Sequence, residues 1–392
     1  MTPPLPSEKT AQLAAAFSPF LRFFQESAYP RLASRPETCN FAIGNPHEMP
    51  LEGFVDALQK ALVPQNVDWF AYKFSEPGST AAIVAELREW RGVEYDTRDI
   101  SVTNGGFAAI AVAMRTILNP GDEVIFQTPP WFFYEALIVD AGAVPVRVSV
   151  RSDDFDLDLD GIAAAITPKT RAVLVNSPHN PTGKIYPPET LEKLARLLTE
   201  KSAAFGRTIY LLSDEAYSRI VFDGRQYPSP TEFYPNSFLL YTYGKVLLTP
   251  GQRVGFIALP SRMPDREIMR NALMLTQVTM GYAFANALLQ HAMPDLGKLS
   301  IDIPHLQARR DRMVSTLREM GYQVHVPDGT FYLLPKSPIE DDWAFCEQLA
   351  EYNILCLPGT VVELPGYFRV SLTANDGMID RGLPGFQAAI AK

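Results

Sequence analysis

The chain has 392 residues, 47% of them hydrophobic, enough for two domains or for one large domain with an appendage. With 35 basic and 44 acidic residues the formal charge is -9, which argues against nonspecific association with nucleic acid or an anionic membrane and leaves room for a local anion pocket. Three cysteines without CxxC or Cys/His metal spacing suit a reducing, cytoplasmic setting, and no basic segment followed by a long apolar core suggests secretion.

Residues 8–35 read as an amphipathic helical arm, followed by helices over 51–62 and 79–91. A β/α alternation then begins. Apolar runs predict strands at 100–103, 123–127, 144–150, 172–175, 208–212, 238–241 and 254–258, with helices over 107–117, 132–141 and 189–203 between several of them. This pattern predicts an α/β fold, a mostly parallel seven-stranded sheet flanked by helices, with ligands bound beyond the strands' carboxyl ends. The apolar stretch 272–289 is broken by Gln277, Thr279 and Asn286, so it reads as a buried helix and a poor membrane span. From about residue 304 the pattern changes. A charged helix over 305–320, short strand-like runs at 321–325, 329–334 and 367–372, and a helix near 341–352 predict a smaller α+β domain. The division expected is 1–50 as the arm and part of the small domain, 51–290 as the large domain, and 291–392 as the small domain, with the arm packed onto the last.

Several segments after these strands carry chemistry. Lys245 closes Tyr241-Thr-Tyr-Gly-Lys245, with Arg253 eight residues on. A lysine at a strand end among hydroxyls can form a Schiff base with an aldehyde cofactor. Thr103-Asn-Gly105-Gly106-Phe107 ends a strand and opens a helix, where glycines let the backbone approach an anion and the helix start offers free N–H groups. The turn lacks the Walker and GxGxxG patterns of nucleotide sites. Trp131, in Pro129-Pro-Trp-Phe-Phe-Tyr134, offers a flat face to an aromatic cofactor or is an ordinary core residue. Asn180 can donate to a phenolate-like oxygen. Asp214, in Asp214-Glu-Ala-Tyr217, is costly as a lone buried carboxylate but is paired if it faces a protonated pyridine nitrogen. Arg369, inside an alternating strand, is either a two-pronged clamp for a carboxylate or an outward-facing edge residue.

In their order and in the Lys–Arg spacing, these blocks resemble the class I/II aminotransferases of the aspartate aminotransferase superfamily, the fold type I enzymes that use pyridoxal 5'-phosphate. The resemblance runs from about residue 40 to 385. It implies that Lys245 holds the cofactor covalently and that Asp214 pairs with the ring nitrogen. Asn180 and Tyr217 would touch the ring hydroxyl oxygen, and Trp131 would stack on the ring. Gly105, Gly106 and Phe107, with Thr242 and Arg253, would receive the phosphate, and Arg369 would grip the substrate α-carboxylate. Tyr72 would reach the neighbouring subunit's phosphate, with Phe74 as the alternative residue there. This implies a homodimer with shared active sites. Gly44 and His47 would lie near the substrate. Relatives often carry serine directly before the lysine, where this chain has Gly244.

The activity implied is ping-pong transfer of an amino group from an L-amino acid to a 2-oxo acid. With no second arginine identifiable for a side-chain carboxylate, the reading leans toward aromatic or other neutral donors. Phe331 and Tyr332 would line an apolar wall or belong to a core strand. The alternatives are a lyase, cyclase or oxidase using the same cofactor and fold, and, more distantly, a non-catalytic regulator. The retained Lys245 and Asp214, and the lack of a basic recognition segment, disfavour the last.

Overall fold

The protein's structure, a computed structural model, describes residues 7–391. The arm is three helices, not one: α1 (Glu8–Ala16), α2 (Ser18–Glu26) and α3 (Tyr29–Leu32). Pro19 and Pro30 stand in the first turns of α2 and α3, where the missing N–H costs nothing, so each proline starts a new helix. The strand β1 (Cys39–Asn40) and helices α4 (Glu52–Ala61) and α5 (Pro77–Arg91) follow.

All seven predicted strands of the large sheet are present. They are β2 (Ile100–Thr103), β3 (Glu123–Thr128), β4 (Val144–Ser149), β5 (Thr170–Asn176), β6 (Tyr210–Asp214), β7 (Ser237–Thr242) and β8 (Gly255–Ala258). Their order is β2-β8-β7-β6-β5-β3-β4, and only β8 runs antiparallel to its neighbours. The sheet is apolar on both faces because successive residues point to opposite sides. Ala172 and Leu174 of β5 pack with α6 (Gly105–Ile117), α7 (Tyr134–Asp140) and α11 (Arg266–Thr279). Val173 and Val175 pack with α8 (Leu159–Ala165) and α9 (Pro188–Phe205) on the other side. The same alternation in β7 sends Phe238 and Leu240 to one layer, and Leu239 and Tyr241 to the layer of α4, α5 and α12 (Ala287–Leu296). One-turn α10 (Tyr243–Val246) follows β7 directly.

The stretch 272–289 corrects the sequence reading, for it is not one buried helix. Helix α11 ends at Thr279, Gly281 takes φ +75, and α12 begins after an Asn286 cap. Only Leu273 and Gln277 of α11 are buried, whereas Ile268, Met274, Leu275 and Val278 are exposed. Hydropathy cannot separate an apolar face turned to the core from one turned to the surface. Leu289, Ala292, Met293 and Leu296 of α12 share a core with α4 and α5, so residue 290 falls within a helix of the large layer.

The smaller layer contains α13 (Ile303–Glu319), β9 (Tyr332–Leu333), α14 (Asp342–Ala350), β10 (Ile354–Leu355), β11 (Leu357–Pro358), β12 (Phe368–Ser371) and α15 (Asp376–Ile390). Strands β11, β12 and β9 form an antiparallel sheet, and β1 pairs with β10, tying the N-terminal segment to this domain. No strand forms at 321–325. Val324 makes a single bridge to Pro335, whose missing N–H stops the ladder. Phe23 and Leu32 of the arm are buried against Leu357, Val361 and Val362, while α1 lies on α7 of the large domain. No helix among the described residues is long and apolar enough to cross a membrane.

Candidate active site

The strand register brings the candidate residues together. Asn176 pairs with Asp214 across β5 and β6, and Gly255 pairs with both Thr242 and Thr103. Beyond these strand ends, between the two domains, lies a cavity of about 280 Å³. Gly44, Gly106, Phe107, Trp131, Asn180, Asp214, Tyr217, Thr242, Lys245, Arg253 and Arg369 line it.

One end of the cavity is built for an anion. Gly105 opens α6 at φ +82, and a Cβ there would lie 3.0 Å from Arg253 Nη2. A Cβ on Gly106 would lie 3.1 Å from Thr242 Cβ. Asn104 does not cap α6 with its side chain, so the first-turn N–H groups remain available beside a guanidinium and a hydroxyl. Arg253 is held there by Nη1 donating to the Pro250 carbonyl at 2.5 Å.

The floor carries a buried carboxylate. Tyr134 donates its hydroxyl to Asp214 Oδ2 at 2.5 Å, and the Ala216 N–H donates to Oδ1 at 3.2 Å. Burial raises the Asp214 carboxyl above its ordinary range, and these bonds with the charge of Lys245 offset that only in part. A cationic ring nitrogen facing Asp214 would supply the missing compensation. Asn176 orders the neighbouring turn, with its amide donating to the Asp214 carbonyl at 2.9 Å and its oxygen accepting from the Asn180 N–H at 2.7 Å. Trp131 is half-buried at the wall and is held edge-on by Phe107 and Phe133 at 5.1 and 5.0 Å.

Lys245 Nζ lies 5.5 Å from the centre of the Tyr217 ring and 5.8 Å from that of Phe331. Thr242, the N-cap of α10, sets the turn that presents it. Tyr217 is buried, and burial holds its hydroxyl well above the usual phenol range. Arg369 is no outward-facing edge residue. It sits buried in β12, the middle strand of its sheet, and donates to Asn180 Oδ1 at 3.2 Å and the Ala42 carbonyl at 3.0 Å. Its Cζ is 4.1 Å from the Tyr332 ring centre, and its Nε is buried without a partner, a donor still free for a carboxylate. Gly44 closes this side, where a Cβ would collide with the Tyr332 hydroxyl.

Gly105 adjoins the cavity through Arg253 without lining it, and His47, Tyr72 and Phe74 also fall outside its lining. His47 does not line it. Its Nε2 is buried without a hydrogen-bond partner, burial lowers its pKa, and its carbonyl accepts from Asn375. Tyr72 is 88% exposed and, like Phe74, packs on Phe284, so neither reaches the cavity of its own chain. Conversely, Tyr134, Asn176, Phe20, Phe24 and Ile43 line or order the site without having been given a role from sequence. Tyr134 meets Asp214 across 80 positions, a pairing no local pattern reveals. The four-residue spacing of Phe20 and Phe24 on a helix was the available signal for those two.

Residues 36–384 match the family described as aminotransferase class I and II. The chain belongs to that family. This aminotransferase is 30% identical over 351 residues to the aspartate/prephenate aminotransferase of Thermus thermophilus, covering 86% of this chain and 87% of the relative. A crystal structure of an aminotransferase from Eubacterium rectale superimposes with a TM-score of 0.89 at 28% identity, covering 99% of both chains. The N-succinyldiaminopimelate aminotransferase of Mycobacterium tuberculosis gives 0.81 at 26% identity, covering 94% of this chain and 98% of that one. The architecture is that of fold type I enzymes, whose cofactor is pyridoxal phosphate. The residues present fit that group: an anion cradle that side chains at 105 and 106 would fill, a buried carboxylate short of a cation, and an amine between them.

Behind the aminotransferase site, Tyr243 donates its hydroxyl to Glu86 at 2.6 Å, and Arg219 Nη1 lies 3.1 Å from the same carboxylate. Burial pushes the Glu86 pKa up to about 7, which Arg219 and Tyr243 only partly oppose. A carboxyl whose folded pKa is raised contributes full stability below its unfolded value and loses it as pH rises through 7. The shift corresponds to about 3 kcal/mol between pH 4 and 8. Glu86→Gln is therefore predicted to gain stability over the native protein as pH increases across that range. Denaturant unfolding at several pH values checks this, and a pH-independent difference would refute it.

Proposed function

We propose that this chain moves the amino group of an L-amino acid to a 2-oxo acid by a ping-pong cycle, with pyridoxal phosphate in the cavity and an aromatic or other large neutral amino acid as its donor. The observation that carries this is the convergence of Lys245, Asp214 and Arg369 on one cavity. When bound, the cofactor supplies an aldehyde that takes up the amine and a ring that accepts electrons from the donor's Cα–H bond. Gly105, Gly106 and Phe107 N–H groups, Thr242 and Arg253 would hold its phosphate, and Trp131 would flank its ring. Asp214 would keep the ring nitrogen protonated, with Tyr134 fixing the carboxylate's orientation. Asn180 and Tyr217 would bind its ring hydroxyl oxygen. The α-carboxylate replaces the missing partner of Arg369, which orients Cα toward Lys245. Lys245 Nζ then removes the Cα proton.

We further propose a homodimer in which Tyr72, or Phe74, reaches the neighbouring subunit's phosphate site. Support comes from exposed apolar residues at 62–74 and on α11, and from Tyr72 and Phe74 packing on Phe284 in the segment between α11 and α12. Three buried free cysteines are in keeping with a cytoplasmic protein.

The test is an endpoint assay on purified protein with pyridoxal phosphate, a donor amino acid and a 2-oxo acid. Transamination yields one new amino acid per oxo acid released and no ammonia. Ammonia released in step with the oxo acid, without need of an acceptor, would overturn the proposal.

A further inference from the structure

The cavity has an apolar side that none of the roles above uses. Its charged lining residues are Asp214, Lys245, Arg253 and Arg369. Each is committed: to the ring nitrogen, the reacting carbon, the phosphate and the α-carboxylate. No cation is left among the described lining residues for a second carboxylate on the donor.

What remains is mostly apolar, with Phe20 and Phe24 from the N-terminal arm and Phe132 and Phe133 from the turn after β3. Phe20 and Phe24 lie one turn apart on α2, with ring centres 4.6 Å apart. Phe20 meets Phe132 at 4.7 Å and Phe133 at 5.1 Å, and Phe133 meets Phe107 at 5.1 Å. A continuous run of rings thus leads from the arm to the phosphate turn. Phe23, whose ring centre lies 5.2 Å from that of Phe24, is buried in the small-domain core and helps set the face that α2 turns to the cavity. Behind the arm lies a second cavity of about 830 Å³, lined by Ala15, Ala16 and Pro19 on one side and by Pro130, Val144 and Pro145 on the other. No residue of α1 is buried, and its Lys9–Asp140 ion pair at 2.6 Å is largely solvated, which limits its contribution to holding the arm. Phe23, Ala28 and Leu32 hold the α2–α3 part of the arm in the small-domain core, whereas α1 buries no residue and borders the second cavity.

We propose that Phe20 and Phe24, with Ile43 and Phe132, form the subsite for the donor's side chain, and that this subsite takes an aromatic ring and disfavours a carboxylate. The proposal rests on the aminotransferase reading for which carboxylate Arg369 grips, and it adds which residues set donor choice. A ring placed among them gains apolar contact and edge-to-face partners, whereas a carboxylate there is desolvated without a counter-charge.

The test uses two unreactive carboxylates on the protein loaded with pyridoxal phosphate: 3-phenylpropionate, which carries a ring, and succinate, which carries a second carboxylate. Calorimetry gives the two dissociation constants. The native protein should prefer 3-phenylpropionate, and Phe20→Ala and Phe24→Ala should each lower that preference about tenfold. The more conservative Phe24→Leu should lower it less, and because the readout is a ratio, a general loss of folded protein cancels. Tighter succinate binding would overturn the subsite and point to a cation brought in by a second copy of the chain. An unchanged ratio in both alanine variants would overturn the role of the arm. Failure of every amino acid to be converted, with the ring preference intact, would refute the assigned reaction and leave the subsite standing.

Discussion

Lys245→Ala is expected to lower turnover by about 10,000-fold, the upper end of what a positioned acid–base group contributes, with little change in thermal stability. Lys245 supplies the amine among the residues that line the cavity. Among the described lining residues the other basic side chains are Arg253 and Arg369, whose guanidinium groups are hydrogen-bond donors and not proton acceptors. The stability side follows from its contacts. Its ammonium rests over Tyr217 and Phe331 at the cavity edge, an interaction worth about 0.5–2 kcal/mol. Steady-state rates with a saturating donor, beside a melting curve, check both halves. A variant turning over within tenfold of the native protein would remove Lys245 from the chemistry.

Asp214→Asn is predicted to lower kcat by about 100- to 1,000-fold. The amide keeps the carboxylate's shape, and its oxygen can still accept from Tyr134, so the floor of the site should keep its geometry. What it loses is the negative charge that holds a proton on the facing nitrogen. Because burial already raises the Asp214 carboxyl, removing its charge costs the fold little and could stabilise the unloaded protein. The loss should therefore fall on kcat more than on folding. An unchanged kcat would show that the charge at 214 is not used.

Much of this was legible in the sequence, for physical reasons. Strands such as β5 are buried on both faces and read as apolar runs, and the turns that follow them carry polar residues at the strands' carboxyl ends. That is why Asp214, Asn180 and Lys245 stood out before their geometry was known. The arm was harder to read, because only Pro19 and Pro30, in the first turns of α2 and α3, mark the breaks between its helices. The exposed apolar face of α11 was misread as buried, since composition reports the demand for burial and not the partner that meets it. His47 was placed by its neighbours in the chain, of which Gly44 and Asn45 line the cavity while His47 does not. Tyr134 depends on a contact across 80 positions, for which one sequence holds no local signal.

The most direct test of the account is the absorption spectrum of the protein loaded with pyridoxal phosphate as single amino acids are added. The account predicts that an aromatic L-amino acid converts the bound cofactor to its pyridoxamine form in a single turnover, and that a 2-oxo acid reverses the change. No spectral response to any amino acid, or a persistent aldehyde-form spectrum accompanied by ammonia, would contradict it.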